Sequence, residues 1–502
     1  MKGANLIKRF LCVILIIMMA LPSTAVYAAD TTVKDKTVTY SKTKNSYEIQ
    51  RTVDHTSTEK LSAMLKLTID NQYILSYSTT GKSFTDVNIS DIAREQLAID
   101  TTAIMQLYDI KVYDQMCIIT GYYQKDVSDV KSFFCLNTTD FKSYSLSKLE
   151  NLPMAKSSPE VFKIGKKYVW FSSYNCSIFR AFPKENPMDL LKKYAREKVT
   201  ETKKQTITEY YVKGEYYVSK DLSSWSKKYT PEILVLKLTS NKNTTNETAN
   251  IEPNSYEIYM ESSGDRLAIT QTTEDQKSKE TLEDNIIETS IYTTNDFKKY
   301  KEIDLKSLAY DAKSSKVDYL YHNYYVFIPM EGYIGIINRK MKSMFSQITF
   351  GIDVLDKNNK IIYSAAIDDK KMVELNNMVF VRAIVKNSKL EGMSILFEQK
   401  FNETNQLYTI NKKGKKVYNT SITMDSVKTF IQDYSKGATF LLKEDDGTKY
   451  LYMLTDGFVK SFRFKLPSQD IFDISICGKY LILDSKDNTY QVSLATLYKK
   501  IK

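Results

Sequence analysis

The sequence predicts an all-β chain of similar small sheets closed into a ring: a β-propeller of seven blades, with eight or six as alternatives, carrying a short helical insertion. Three observations predict it. First, one short phrase recurs, as Ser78-Thr-Thr-Gly-Lys-Ser-Phe84, Thr138-Thr-Asp-Phe-Lys-Ser-Tyr144, Ser219-Lys-Asp-Leu-Ser-Ser-Trp225 and Thr294-Asn-Asp-Phe-Lys-Lys-Tyr300. Self-similarity at intervals of tens of residues marks stacked units, none of which buries its apolar face alone. Second, the 502 residues include 37 Tyr but only 15 Gly and 9 Pro, and aromatic and β-branched residues suit pleated, half-buried surfaces. Third, a short apolar strand recurs at Tyr73–Tyr77, Met116–Thr120, Tyr168–Ser172, Leu267–Thr270, Tyr324–Ile328, Met378–Val381, Ala438–Leu442 and Tyr480–Leu483. Turn residues precede most copies, as in Ile164-Gly-Lys-Lys167 and Cys477-Gly-Lys479. A pair of β-sandwiches is the competing architecture, but sandwiches rarely repeat a turn phrase in register.

Taken in order, residues 1–28 read as an export signal. Lys2, Lys8 and Arg9 form a positive start, Leu11 to Leu21 is an apolar run, and Val26-Tyr27-Ala28 is a small-residue cleavage site. No later segment offers the ~18 uninterrupted apolar residues of a membrane span. The expected location is therefore secreted: extracellular or associated with the cell envelope. Residues 29–57 read as a lead-in with a possible closing strand near Thr37–Thr43 or Tyr47–Thr52. Such a strand would complete the last sheet and hide edges that otherwise invite aggregation. Residues 58–502 form the propeller domain. Within it, Asn186-Pro187 caps a short charged helix in an insertion spanning 185–205, with Pro at the first helical position. Ser90 to Leu107 is a second helical break with Ser90 as its cap, and Ser240–Pro253 and Thr272–Asn285 are surface loops.

Charge and rare residues exclude several functions. The formal charge is +11, and three of those positive charges leave with Lys2, Lys8 and Arg9, so the mature chain carries +8. The acids are spread throughout and no Lys/Arg stripe appears, so nucleic acid is a poor partner. With two histidines, His55 and His322, and no Cys-x-x-Cys pair, neither a metal nor any other cofactor is expected. Cys117 and Cys135 fall on neighbouring predicted strands, where they either bridge or serve as small buried apolar residues.

The recurring phrase, hydroxyl residue to aromatic, is similar to the Asp-box of sialidase-like β-propellers. The segment Tyr216-Tyr-Val-Ser-Lys-Asp-Leu-Ser-Ser-Trp225 also looks like a turn common in five-bladed glycoside-hydrolase propellers. The resemblance covers turns between Ser78 and Tyr300. It implies a structural role at blade turns for Asp140, Tyr144, Asp221, Trp225, Asp296 and Tyr300. Phe141, Leu222 and Phe297 replace the usual glycine, and the spacing to the aromatic is one residue shorter. Phe179-Arg180-Ala-Phe-Pro183 is the nearest match to the sialidase Arg-Ile-Pro element, without the Ile. Lys outnumbers Arg, and Lys lacks the bidentate fork that clamps a carboxylate, so no catalytic residue is carried over.

Two sets of residues are candidates for function. A glycosidase needs two carboxylates about 5–10 Å apart, and in a propeller these come from inner strands of different blades. Asp114, Asp265, Asp318 and Asp433 precede predicted inner strands, although each also suits a turn or a sheet edge. Tyr122, Tyr123, Trp170, Tyr324 and Tyr325 lie on or beside inner strands. Their faces suit sugar rings, protein side chains or the packing between blades. The leading expectation is a secreted, non-catalytic binding protein for a cell-surface glycan or protein. The alternatives are a sialidase-like glycoside hydrolase or polysaccharide lyase, and a structural component of an envelope or spore coat.

Overall fold

The computed structural model describes residues 33–501 except 59, 150–157, 173, 177–185, 242–254, 275–286, 310–320, 328–331, 342–347, 368–374, 387–388, 400–404, 412–415, 419–426, 434–435, 437 and 456–459. Residues 1–28, which read as an export signal, lie outside the described residues. Among the described residues, eight sheets follow one another along the chain, each built on an antiparallel meander, which the insertion interrupts between the second and third strands of the third sheet. The first runs through Ile49–Ser57, Ser62–Thr68, Tyr73–Ser78 and Thr85–Asn88. Counting along each meander, the first strands of the second, third and fourth sheets are Ile104–Tyr113, Glu160–Ile164 and Ser255–Ser263, and in the fourth Tyr174–Cys176 pairs along part of the free edge of Ser255–Ser263. The first strands of the fifth to eighth are Tyr321–Phe327, Leu375–Lys386, Val427–Asp433 and Asp473–Cys477. First strand meets first strand from the first sheet to the fourth, from the seventh to the eighth, and from the eighth back to the first. A succession of sheets whose first strands circle back to the start is a β-propeller, and these first strands are its inner strands. The repeating apolar strands read from the sequence are mostly second strands. Tyr73–Ser78 is instead third in its sheet, and Tyr321–Phe327 and Leu375–Lys386 are first.

The core lies between the sheets. Apolar clusters join the first sheet to the second, the second to the third and fourth, the fourth to the fifth, and the seventh to the eighth. A small cluster of Met64, Cys477 and Ile482, with Phe84 and Tyr480, joins the eighth sheet to the first. Cys117 and Cys135 are buried and free. The register sets Cys117 opposite Thr138 and Cys135 opposite Thr120. An odd offset of this kind points the two thiols to opposite faces, which rules out a bridge between them.

The N-terminal segment closes the ring. Ser41–Lys44 pairs antiparallel with the last strand, Asn488–Ser493, and completes the eighth sheet. Lys34–Lys36 pairs parallel with Lys460–Lys465 at the edge of the seventh, held by both Asp35 oxygens on the Arg463 guanidinium at 2.6 and 3.1 Å. Ile49–Ser57, within the segment read as lead-in, is the inner strand of the first sheet. At the seam, Lys66 of the first sheet donates to Asp484 of the eighth at 2.7 Å, with side chains 3% and 1% exposed. Thr489 donates to Asp484 at 3.0 Å and to Asn45 at 2.8 Å, its hydrogen shared between the two acceptors. A buried ion pair stabilises weakly on balance, but it penalises any packing that separates the two charges.

The recurring phrase is one turn, used four times between the third and fourth strands of the first four sheets. Its leading hydroxyl accepts from the amide three residues on: Ser78 from Gly81 at 2.8 Å, Thr138 from Phe141 at 2.9 Å, Ser219 from Leu222 at 2.9 Å and Thr294 from Phe297 at 3.0 Å. The next two amides donate to the aspartate, as Lys142 and Ser143 do to Asp140, both at 2.9 Å. These hydrogen bonds favour the ionised acid, so all three aspartates sit below the ordinary carboxylate range, Asp221 at about 2. The fourth position is left-handed in every copy: Gly81 (φ +72°), Phe141 (+57°), Leu222 (+65°) and Phe297 (+63°). A side chain there costs about 1–2 kcal/mol of backbone strain. In return it reaches the preceding sheet. Phe141 stacks on Tyr77 at 3.8 Å and 6°, and Phe297 packs beside Tyr216. The Leu222 carbonyl accepts from Ser147. In the first copy the preceding sheet is too close for any side chain, because a Cβ on Gly81 would lie 2.8 Å from the Cys477 carbonyl oxygen.

The insertion differs from its expectation. Pro187–Tyr194 is helical with Asn186 as cap, but Arg196–Glu201 and Gln205–Val212 then form strands. They pair with Ile233–Asn241 in a ninth, three-stranded sheet. The other break is the helix Ile89–Leu97, capped by Asn88, whereas Ser90 accepts from the Tyr73 amide at 2.7 Å. Strand already resumes at Ile104.

Four variants test this account. Gly81→Val should lower stability by roughly 2–4 kcal/mol through clash and backbone strain. Phe141→Gly should cost about 2–3 kcal/mol, the lost packing outweighing the relief of strain; urea melts of both variants give the values. Lys66→Met, which leaves Asp484 buried and unpaired, should cost about 3–5 kcal/mol. Lys66→Met with Asp484→Leu should recover most of that loss.

Candidate functional site

The inner strands carry a belt of acids. Asp473 of the eighth sheet, Asp54 of the first, Asp109 of the second, Glu160 of the third and Glu261 of the fourth all lie on first strands. Two bulges help build the belt. Register shifts between Thr52 and Asp54 and between Leu107 and Asp109 insert one extra residue each. A bulge bends its strand and re-aims the side chain that follows. Asp54 reaches across the gap between sheets and accepts from the Ile110 amide at 2.9 Å, and from the His55 amide at 2.8 Å.

Lys111 bridges the next two acids, 3.6 Å from Asp109 and 3.0 Å from Glu160. Their oxygens are therefore no farther apart than those two lengths end to end. Glu261 accepts from the Tyr259 hydroxyl. Burial pushes the Asp109 carboxyl up to about 6; Lys111 opposes the rise, and Asp54 and Glu160 add to it. Burial also raises Asp54, Glu261 and Asp473. Glu160 adds to the shift of Glu261, and Asp484 to that of Asp473. The belt is thus a chain of carboxylates, several of which feel the next across a gap between sheets.

Beside it, the face that the second sheet turns to the third carries two buried oxygens with no hydrogen-bond partner, Asp109 Oδ2 and Thr120 Oγ1. Asp109 and Thr120 are cross-strand partners, and Thr120 is 0% exposed. Tyr108 and Tyr122 flank them with ring centroids 6.4 Å apart. The Tyr108 hydroxyl donates to the Pro159 carbonyl at 2.7 Å, and that of Tyr122 to Gln106 at 2.6 Å.

The residues singled out from the sequence lie elsewhere, with one exception. Tyr122 borders the Asp109–Thr120 pair, with Lys131 4.1 Å over its ring. Tyr123 points to the other face and packs near Phe134. Trp170 is 1% exposed, stacked on Tyr217 at 4.8 Å and edge-on to Trp225 at 6.4 Å. Tyr324 is partly buried between the fourth and fifth sheets, and of Tyr325 only its place on Tyr321–Phe327 is described. Tyr122, Tyr123 and Trp170 are on second strands, one removed from the ring centre. Asp140, Asp221 and Asp296 hold their turns, Tyr144 packs between the first two sheets, and Tyr300 bonds Tyr216 and the Tyr229 carbonyl. Asp114 is exposed in a hairpin turn and Asp265 in another. Asp433 is buried under Tyr498 at 2.7 Å, and Asp318 lies outside the described residues. The belt residues escaped the sequence reading because the apolar second strands mark the repeat more strongly. Alternation such as Asp109-Ile-Lys111 is the local signal. Among the described residues no group of three or more His, Cys, Asp or Glu is placed to hold a metal ion. No described helix is long and apolar enough to cross a membrane.

No family model and no curated protein matches this chain. Among solved structures it is similar to the β-propeller domain of the Trilobed protease from Pyrococcus furiosus, with 12% identity, 78% of this chain, 95% of that one and a TM-score of 0.34. It is also similar to a prolyl endopeptidase, with 9% identity, 88% of this chain, 54% of that one and a TM-score of 0.43. A polysaccharide lyase of family PL25, an ulvan lyase, matches at 8% identity over 91% of this chain and 99% of that one, with a TM-score of 0.34. The chain spans about half the length of the prolyl endopeptidase it matches. Similarity at this level carries no argument about activity.

The raised Asp109 has a pH signature. Its folded pKa of about 6 exceeds the ordinary 3.8, so the folded state favours the proton. Full stability therefore belongs to pH below about 4, and this contribution is lost as pH rises through about 6. Asp109→Asn removes the dependence. Its stability relative to the parent should improve by about 2–3 kcal/mol from pH 4 to pH 7, as measured by urea melts at both pH values.

Proposed function

We propose that the chain is a secreted β-propeller binding protein whose target, a cell-surface glycan or protein, seats on the acidic centre of the ring. One observation carries this reading: five carboxylates stand on five inner strands, from the eighth sheet through the fourth, in a chain whose formal charge is +11. In a basic protein such a belt is a local feature of the ring centre, and a concave site lined by one sign of charge concentrates ligands of the other. The sequence supports export through its N-terminal segment. The aromatic residues first considered serve mainly in packing, so recognition rests on the charged groups.

A second reading, glycoside hydrolase or polysaccharide lyase, is favoured by the pair Asp109 and Glu160. Asp109 is held near 6 and Glu160 stands opposite it on the neighbouring sheet, a placement that suits a pair of carboxyls flanking a bond. Lys111 stands between them, where the scissile bond would have to pass, and this favours binding over turnover. A glycan and peptide array run beside a panel of chromogenic glycosides tests both. Retention of a ligand that is lost in Asp109→Asn and Glu160→Gln supports binding. Turnover of any glycoside that is abolished by the same variants would replace it with the hydrolase.

A further inference from the structure

We propose that closure of the ring is proton-linked: the seam between the eighth sheet and the first holds one proton between Asp473 and His55, and it loosens as pH rises and that proton leaves. Among the described residues, the seam sets two acids against one permanent cation. Asp473 and Asp484 are cross-strand partners on the eighth sheet, so their side chains share one face. That face is turned to the first sheet, because Lys66 donates to Asp484 Oδ1 at 2.7 Å, with the two side chains 3% and 1% exposed. His55 lies on the facing side of the first sheet, since its cross-strand partner Met64 packs on Cys477 and Ile482 of the eighth. Ser475, between Asp473 and Cys477, donates to the Met64 sulfur at 3.5 Å.

The charges at this face balance only with a proton. Lys66 offsets one carboxylate. Asp484 Oδ2 is buried without a hydrogen-bond partner, so a second ionised carboxylate opposite it adds charge where water does not screen it. Asp473 accepts from the Ile474 amide at 2.9 Å and from the Thr429 hydroxyl of the seventh sheet, and neither donor brings a charge. His55 lies close enough to act on the Asp473 carboxylate, and histidine is the side chain that changes charge nearest neutrality. With the proton on either group the two acids and their partners are neutral; without it they are left negative, so the proton belongs to the pair. The other charged groups of the neighbouring strands have partners of their own. On the seventh sheet Lys428 pairs with Glu444 at 3.4 Å, Lys443 with Asp445, and Asp433 accepts from Tyr498. Glu48 and Lys486 pair at the exposed end of the seam at 3.3 Å. Asp54 accepts from the Ile110 and His55 amides and also attracts a charged imidazole, while Lys111 stands between Asp109 and Glu160. Burial raises the Asp473 carboxyl above its ordinary 3.8, with His55 opposing the rise and Asp484 adding to it. A raised group stabilises fully below its ordinary value, and its contribution is lost as pH rises through the folded one.

The test follows the full chain by hydrogen exchange and mass spectrometry at about pH 4.5 and about pH 8, with rates corrected for the intrinsic effect of pH. Peptides covering Ser62–Thr68 and Tyr480–Asp484 should lose protection by roughly tenfold at the higher pH, whereas Ile334–Met341 of the fifth sheet should not. Asp473→Asn, which leaves an uncharged side chain of the same shape, should keep the seam at its low-pH protection throughout. His55→Lys, a permanent cation, should do the same. Asp109→Asn changes a different gap and should leave the fall in place. Thermal melts at the lower pH report which variants are folded, and if Asp473→Asn is not, His55→Lys decides. Equal protection of the seam at both pH values would overturn the inference. So would a fall that persists in both seam variants, one that Asp109→Asn abolishes, or one shared equally by Ile334–Met341, which marks loosening of the whole molecule. None of these outcomes depends on what the ring binds.

Discussion

The second sheet of this chain is apolar on both faces, and that constraint bears on the rest of the molecule. In the second sheet, Ile118 and Cys135 pack toward the third while Cys117, Ile119 and Leu136 pack toward the first. A four-stranded sheet of this kind has no free face to offer water. It is stable only between two others, and the first sheet has a neighbour on its outer side only if the last sheet comes round to meet it. The Met64–Cys477–Ile482 cluster and the buried Lys66–Asp484 pair lie where that demand is met. The apolar contacts supply cohesion, and the ion pair specifies which two surfaces may join.

The recurring turn works under the same constraint. Its hydroxyl and aspartate satisfy the backbone locally, so the turn forms without help from other sheets. Its left-handed residue then points backward into the preceding sheet. Placing Phe or Leu in a conformation that suits glycine is unfavourable on its own. Here the strain is offset by contact with Tyr77 or Tyr216. Glycine appears in the first copy, where the eighth sheet crowds the turn.

This explains what the sequence revealed and what it hid. The turns were legible because their bonds run between residues two or three apart. The second strands were legible because they are covered on both faces and hence strongly apolar. The closing strand was legible in outline, and Ser41–Lys44 overlaps one of the two stretches considered. The acidic belt was not legible. Asp54, Asp109, Glu160 and Glu261 are far apart in sequence and become neighbours only through the order of sheets, and two of them are aimed by bulges that leave no mark in composition. The aromatic residues are a related case: Trp170 and Tyr123 supply apolar surface that lies between sheets.

The pairing of Lys34–Lys36 and Ser41–Lys44 with strands more than four hundred residues later bears on how the chain acquires its shape. During synthesis these early strands emerge long before their partners, Lys460–Lys465 and Asn488–Ser493. The intervening sheets can form by local hairpins, which are quick, but joining the two ends is a single contact across nearly the whole contour. Until it is made, the eighth sheet lacks its outermost strand and the first has one face bare. The last step of maturation is therefore also the most vulnerable one, and a chaperone or a protease would find its opening at that seam.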